Sequence, residues 1–428
     1  MFKKIVSTIF ARTLLAGLTF ALAIVTSQYL GPEGKGDASL FMLNLTIVQL
    51  INNFVGGPYL VYLVPRNNIM HLLLPSYAWA FISSITAPLI LVLLHLSDAD
   101  SCRHLIMISL LYSVITINTM IMMGKEEVHK CNLTALLQSF TMIACFVFYL
   151  EIYGMKNLSA YINALYFSSS IALILSFVFI IKHLQKISFK NITVTFYETL
   201  KSGFVVQAGN IAQMFNYRLS FYLVDKFHEE GRKEVGIYSI AVSVAEALWL
   251  ISQSVALILY SRISNSDDKQ YSRKLTVILV KIVFLSTIVC TGILLCMPAS
   301  LFAFVFGEGF GGIKAVLFPL SVGIIIFSAG IIFSAYFVGI GKPKVSVFAS
   351  MIGFCITLAL GFILIPRYGM MGAGITASAS YTSGVVYQFI MFMKEAEEVH
   401  LRDFIFTRND FNVVYLEMKN IFFSKQTQ

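Results

Sequence analysis

Three basic side chains and one acid stand deep inside otherwise apolar stretches: Arg12, Arg218, Lys281 and Glu246. A charge at the centre of a bilayer costs about 2.5–3.5 kcal/mol on insertion scales, so such groups pair, reach the headgroups or line a wet cavity. At the helical rise, Arg12 and Lys281 sit roughly 10 Å from one end of their spans, within reach of headgroups or of a cavity. Thr8, Thr19 and Thr26 share the face of Arg12 and turn that residue towards a cavity. Arg218 lies about 15 residues into its span, roughly 22 Å along it. Glu246 lies near mid-span, with Ser239, Ser243 and Gln253 on its face. Two chemistries suit it: a bundle-holding pair with Arg218 or Lys281, or a proton- or cation-coupling site.

The seventh span carries a polar stripe. On a helical wheel Gln207, Asn210, Tyr217 and Arg218 fall in one arc about 100° wide, with Gln213 beside it. Ala208, Ile211, Ala212, Phe215, Leu219 and Tyr222 fill the opposite side. Taken singly, the amides suit interhelical hydrogen bonds or a lumen equally; the stripe including Arg218 reads as the wall of a lumen. The second span adds Gln49, Asn52, Asn53, Gly56 and Gly57. The last adds Ser378, Ser380, Tyr381, Ser383, Tyr387 and Gln388. Their small residues permit close helix approach, while their amides and tyrosines could face a sugar.

These groups must be held by helices. The 428 residues are 57% hydrophobic and 12% charged, with mean hydropathy +0.80. A soluble domain is about 45–50% apolar and about 25% charged, so a water-soluble globule is excluded and a polytopic membrane protein expected. Twelve spans of about 20 apolar residues can be placed, near 5–30, 40–64, 72–96, 105–123, 132–152, 160–182, 203–225, 237–260, 275–298, 315–340, 345–366 and 370–393. Met1-Phe-Lys-Lys and Ala21-Leu-Ala23 resemble a signal peptide, but Arg12 interrupts the run and it continues to Leu30, which favours an uncleaved first span. With the N-terminus in the cytoplasm, inner segments hold twenty Lys and Arg and outer loops eight, so both termini are expected inside. The net charge of +9 therefore reflects topology, not a nucleic-acid partner. The expected organisation is a six-helix bundle (1–182), a cytoplasmic linker (183–202), a second six-helix bundle (203–393) and a cytoplasmic tail (394–428) suited to an amphipathic helix.

The halves repeat. Tyr153-Gly-Met155 and Tyr368-Gly-Met370 are 215 residues apart, as are Tyr166-Phe-Ser168 and Tyr381-Thr-Ser383. Gly124-Lys125 and Gly341-Lys342 are 217 apart, and Gly36 and Gly236 each precede an even-numbered span. Six helices per half give parallel repeats about the membrane normal, with a central cavity suited to alternating access. No phosphate loop, zinc-protease or nucleophile-elbow motif occurs, and no loop is large enough for a glycosyltransferase domain. The six cysteines are scattered and suggest neither disulfides nor a metal site. No enzyme activity and no cofactor is expected.

Three blocks carry a family resemblance: Tyr29-Leu-Gly-Pro-Glu-Gly-Lys-Gly36, Phe215-Asn-Tyr-Arg-Leu-Ser-Phe-Tyr-Leu-Val-Asp225, and Val235-Gly-Ile-Tyr-Ser-Ile-Ala-Val-Ser-Val-Ala-Glu-Ala-Leu-Trp249. With span count and short loops, they make the whole chain resemble Wzx-type polysaccharide repeat-unit flippases of the multidrug/oligosaccharidyl-lipid/polysaccharide exporter superfamily. The resemblance implies a MATE-like fold of two bundles around a cationic cavity, in the bacterial inner membrane. It implies a flippase moving undecaprenyl-diphosphate-linked oligosaccharide for O-antigen, lipopolysaccharide or other surface-polysaccharide assembly, with other assembly membrane proteins as candidate partners. Arg12, Arg218 and Lys281 would then attract the diphosphate. Glu246 matches the acid of the family block without a role that the resemblance assigns; its depth makes it the candidate for ion coupling, as the polar stripe makes Gln207, Asn210, Gln213 and Tyr217 candidates for the cavity wall. Family members often carry an acid two residues after the seventh-span arginine; here it is Ser220, which removes a counter-ion for Arg218.

The rival readings are a cation-coupled multidrug exporter, which predicts an acid-rich cavity, and a membrane glycan polymerase or ligase, which predicts a large outer loop. A third is a scaffold for glycan assembly that docks through the tail.

Overall fold

The computed structural model describes residues 2–184, 192–265, 268–396 and 398–405. Among these there is no strand, and helices account for almost the whole chain. In lipid every backbone N–H and C=O must be satisfied within the protein, and an α-helix does this segment by segment. The helices are α1 (Phe2–Gly56), α2 (Tyr59–Leu63), α3 (Ile69–Leu93), α4 (Ala99–Gly124), α5 (Val128–Glu151) and α6 (Leu158–Ile180). They continue with α7 (Ile192–Phe227), α8 (Gly231–Ser264), α9 (Lys269–Cys296), α10 (Ala299–Phe306), α11 (Ile313–Gly339) and α12 (Lys344–Glu395).

Nine helices among the described residues are long and apolar enough to cross a membrane. Two of them, α1 and α12, are far too long for one crossing. Each is two arms joined at a corner where the backbone leaves helical geometry, at Gly31 (φ 68°) before Pro32 and at Gly369 (φ 54°) after Pro366. The prolines lack an amide donor and the glycines accept positive φ without strain. Counting these arms and adding α7, whose polar stripe lowers its hydropathy, gives the twelve spans expected from the sequence. The fold is that of an all-α polytopic membrane protein.

The repeat has a backbone counterpart. Gly154 (φ 63°) and Gly369 (φ 54°), the centres of the two Tyr-Gly-Met triplets, both take positive φ. Gly36 and Gly236 have a different meaning. A Cβ on Gly36 would overlap the Arg232 carbonyl oxygen, and one on Gly236 would overlap that of Pro32, beside the amide of Gly36. The two glycines are thus partners in one close approach between the corner of α1 and the start of α8.

The chain packs as two compact units, Met1–Ile240 with Ser300–Gly312, and Ala241–Ala299 with Ile313–Gln428. In the first, α7 packs chiefly on α1, with Phe54 and Phe204 rings 5.4 Å apart. Phe41, Phe146, Tyr161 and Leu165 form one buried cluster, and Leu60, Leu72, Ile117 and Ile121 another. The connection after α9 also belongs here: Gln28 Nε2 donates to the Val305 carbonyl at 2.8 Å, and Phe306 meets Phe20 edge-on at 6.1 Å. The sequence reading treated that stretch as a plain short loop; its apolar run Leu301–Phe306 instead forms α10. In the second unit Phe333, Tyr336, Phe337 and Phe392 form the core between α11 and α12. The six cysteines are free thiols.

At the start of α5, Glu127 accepts from Lys182 at 2.6 Å, Lys130 at 2.9 Å and His183 at 3.1 Å, joining the end of α6 to the loop before α5. Burial acts to raise its pKa, but these hydrogen bonds outweigh it and hold the carboxyl at about 2. A lowered acid pKa stabilises the fold above the ordinary value of 4.5, and that contribution is lost as pH falls from there towards about 2. The protection factors of amides at the start of α5 should therefore be insensitive to Glu127 from about pH 8 to about pH 5 and fall below that. Gly236→Ala should cost on the order of 2–3 kcal/mol by overpacking. Gly292→Ala, where an added Cβ meets nothing within 4 Å, should gain up to about 1 kcal/mol. Thermal unfolding in detergent compares the two.

Candidate functional site

The polar stripe of α7 is built from pairs along the helix. Asn210 Nδ2 donates to Gln207 Oε1 at 2.9 Å, and Gln213 Nε2 donates to the Tyr217 hydroxyl at 3.0 Å. Residues three and four apart on a helix face each other, which is why these pairs form. Gln207 is buried, Asn210 and Gln213 are exposed, and Tyr217 is half-buried. Among the described residues the three amides bond within α7, not across to other helices. The half-buried Arg218 places its guanidinium 5.4 Å from the Phe221 ring, which meets Tyr238 of α8 edge-on at 5.1 Å. A delocalised guanidinium is well suited to an aromatic face.

The other polar groups of the first unit divide into glue and exceptions. Gln49 Nε2 donates to the Ser109 carbonyl at 3.1 Å and to Ser113 Oγ at 3.2 Å. Asn118 accepts from the Tyr77 hydroxyl and donates to Ser176 Oγ at 2.9 Å. Tyr222 donates to Asn44. These bonds clamp helices together, as small polar groups do in membranes. Asn52 is fully buried, and neither of its amide atoms has a partner among the described residues.

Arg12 lies on the first arm of α1 and is exposed. Glu246 and Lys281 belong to the second unit. Glu246 is half-buried on α8, one turn before Trp249. Trp249 Nε1 donates to the Ile324 carbonyl at 3.2 Å, and its ring lies 4.6 Å from Phe327 and 5.5 Å from Tyr381. The Glu-Ala-Leu-Trp block therefore docks α8 onto α11 and α12. Tyr381 and Gln388, which the sequence offered to a sugar, are taken by neighbours: Tyr381 by these rings, and Gln388 by Ser334 Oγ at 2.7 Å. Lys281 is 6% exposed, and its Nζ donates to the Ile405 carbonyl at 3.2 Å.

Two charged positions read from the sequence only as loop residues have larger roles. Arg232 holds three carboxylates on one guanidinium: Asp225 at 2.8 Å, and Asp37 and Asp98 each at 3.2 Å. It gathers the ends of α7 and α8, the corner of α1 and the N-cap of α4. Only Asp225 is near Arg232 in the sequence; Asp37 and Asp98 lie in distant connections, so the cluster is set by packing. Burial raises the Asp37 pKa above its ordinary value, while Arg232 draws it down. Lys35 donates to Thr26 Oγ1 at 3.1 Å, and burial lowers its pKa to about 8.

No family model matches the sequence. The Staphylococcus aureus capsular polysaccharide biosynthesis protein CapF is 26% identical over 170 residues, 38% of this chain and 42% of that protein. An uncharacterised membrane protein of Methanocaldococcus jannaschii is 25% identical over 166 residues, 38% of this chain and 33% of that protein. The matches thus span well under half of these relatives. Among solved structures, the lipid II flippase MurJ in an inward closed conformation superposes over 100% of both chains, with TM-score 0.71 and 16% identity. An inward-facing MATE family multidrug transporter of the MOP superfamily covers 90% of this chain and 94% of that one, with TM-score 0.70 and 14% identity. An outward-facing MATE transporter follows at TM-score 0.62. The chain has the twelve-span fold of these membrane proteins.

A buried carboxyl with a raised pKa favours the folded state more as pH falls through that pKa, because the folded chain then binds the extra proton. Asp37→Asn should flatten this part of the pH dependence of unfolding at little cost. Arg232→Gln should destabilise by on the order of 1–2 kcal/mol at neutral pH and steepen the same dependence, since it leaves carboxylates partly buried without their cation. Melting in detergent between about pH 4 and pH 8 distinguishes the two.

Proposed function

We propose that the chain is a flippase for a lipid-linked glycan repeat unit, carried on an undecaprenyl diphosphate, and that it performs no chemistry on its cargo. The observation that carries the reading is the α7 stripe, amides followed by an arginine held on an aromatic ring, within a fold shared with a lipid II flippase. A translocated headgroup needs polar partners inside the membrane, and a diphosphate needs cations that stay charged. Arg12, Arg218 and Lys281 are assigned to the diphosphate; Gln207, Asn210, Gln213 and Tyr217 are assigned to the oligosaccharide. The six-helix halves, 1–182 and 203–393, alternate access to the two leaflets, and Glu246 couples the change to an ion gradient. The excess of Lys and Arg on one set of loops supports both termini in the cytoplasm and the inner membrane as the site of action. Partial identity to a capsular polysaccharide biosynthesis protein supports a surface polysaccharide as the product served, with other membrane proteins of that assembly as partners.

A drug exporter is the second reading, favoured by the nearly equal similarity to a MATE multidrug transporter. It sits poorly with interior cations outnumbering interior acids, because cationic drugs need the opposite balance.

Cells lacking the gene separate these readings. The flippase reading expects the single repeat unit on undecaprenyl diphosphate to accumulate in the inner leaflet, with dye efflux unchanged. Accumulation in the outer leaflet would indicate a polymerase defect, and normal lipids with impaired efflux would favour the exporter. Arg218→Ala should lower complementation about tenfold or more, since a hydrogen bond to a charged group contributes about 1.5–3 kcal/mol. Glu246→Gln should abolish gradient-driven transport; full transport retained across a range of pH and cation gradients would end its coupling role.

A further inference from the structure

Arg232 ties together helices that the sequence assigns to different halves of the chain. Asp37 at the corner of α1 and Asp98 before α4 belong with the first six spans, and Asp225 and Arg232 with the second six. All four lie in the first compact unit. Two uncharged contacts join the same elements. Tyr222 of α7 donates to Asn44 of α1, and Gly36 and Gly236 bring the backbones of α1 and α8 against the carbonyls of Arg232 and Pro32.

The ion pairs are made to part. The side chains of Arg232, Asp37 and Asp98 are 34%, 35% and 67% exposed, so water reaches all three. Exposed pairs are weak one by one and are screened by salt. Asp98 is the N-cap residue of α4 yet makes no side-chain cap bond. Its carboxylate therefore has a second set of partners, the amides of the first α4 turn, if the guanidinium leaves. Charge is also out of balance, with three carboxylates on one guanidinium. Like charges brought this close favour the protonated acid. Burial lifts the Asp37 carboxyl above its usual range, Arg232 draws it back, and Glu33 and Asp98 lift it further. The other charges around the corner are Lys35 on α1, Asp100 in the first turn of α4 and Lys226 at the end of α7. Glu308 adjoins the Gly309 that meets Pro32, and Glu229 precedes α8. Two further pairs stand beside them, His228–Glu234 at 3.1 Å and Lys233–Glu230 at 2.8 Å.

We propose that the Arg232 tie is a latch on the outer mouth: its bonds to Asp37 and Asp98 hold α7 and α8 against α1 and α4 while the cavity is open inwards, and they part when it opens outwards. The proposal rests on the alternating access and topology assigned above, and adds the contacts that must break. Release leaves each partner provided for: Asp98 caps α4, and Asp37 and Arg232 return to water. The closed corner holds a proton more tightly than the open one, so acid closes the latch and alkali favours its release.

The test reads the corner in nanodiscs, as the spin-label distance between Ala99→Cys and Phe227→Cys in a full chain whose six native cysteines are changed to alanine. Both label sites are uncharged, so the pairs stay intact. Two distances are expected, a major short one and a minor long one. Arg232→Gln should lower the short-to-long ratio about tenfold, for the loss of three exposed pairs. Raising KCl from about 20 mM to about 500 mM should shift the otherwise unaltered chain the same way and leave Arg232→Gln nearly still. Lowering the pH from about 8 to about 4 should raise the ratio, and Asp37→Asn should flatten that response. Distances unmoved by Arg232→Gln, salt that shifts the variant as far as its parent, or acid that opens the corner would overturn the latch. The salt and pH arms need no substitution in the cluster, so they decide even where Arg232→Gln fails to fold. No lipid-linked glycan enters these measurements, so the leaflet assay judges the flippase reading on its own.

Discussion

The bilayer offers no hydrogen bonds, and every polar group placed at its depth must find a partner in the chain or in a wet cavity. The helices answer this for the backbone. The side chains answer it by pairing, as Gln49 does with Ser109 and Ser113, and Asn118 with Tyr77 and Ser176. The long helical runs break only at positions made for it, where Gly31 and Gly369 take positive φ beside Pro32 and Pro366. Against this background the functional candidates are the groups answered in another way. The α7 amides bond along their own helix, Arg218 rests on a ring, and Lys281 is covered by a backbone carbonyl from the end of the described chain.

Much of the fold was legible because hydropathy is a local property. The corner of α1 could be placed between residues 30 and 40 because Gly-Pro-Glu-Gly-Lys-Gly interrupts the apolar run. Both Tyr-Gly-Met triplets place their glycine at a positive φ, which selects glycine at both sites. Gly36 and Gly236 carried a different message, a mutual close approach between two carbonyl-lined corners, which residue identity alone cannot distinguish from a repeat. The Leu301–Phe306 run had no span length, yet its phenylalanines needed burial and found it beside Phe20 and Gln28.

The site was legible as a face and not as a set of contacts. A helical wheel shows that Gln207, Asn210, Tyr217 and Arg218 lie together; it cannot show that Phe221 carries the guanidinium or that Ser334 claims Gln388. Long-range pairs are set by packing, so the Arg232 cluster and the segment at Phe404 emerge only from coordinates. Both gather groups from distant parts of the chain around one cation. Arg232 is neutralised by carboxylates at the helix ends, and the Lys281 ammonium donates to the Ile405 carbonyl. The first arrangement is that of a structural tie.

The central proposal is that Arg12, Arg218 and Lys281 serve the passage of a lipid-linked diphosphate. The most direct measurement is translocation of a fluorescent undecaprenyl-diphosphate oligosaccharide across proteoliposomes containing the purified protein, read by quenching from outside. The account predicts protein-dependent flipping of that lipid and none of the matching neutral undecaprenol glycoside. Equal transport of both lipids, or transport of a cationic dye with neither lipid moved, would contradict it.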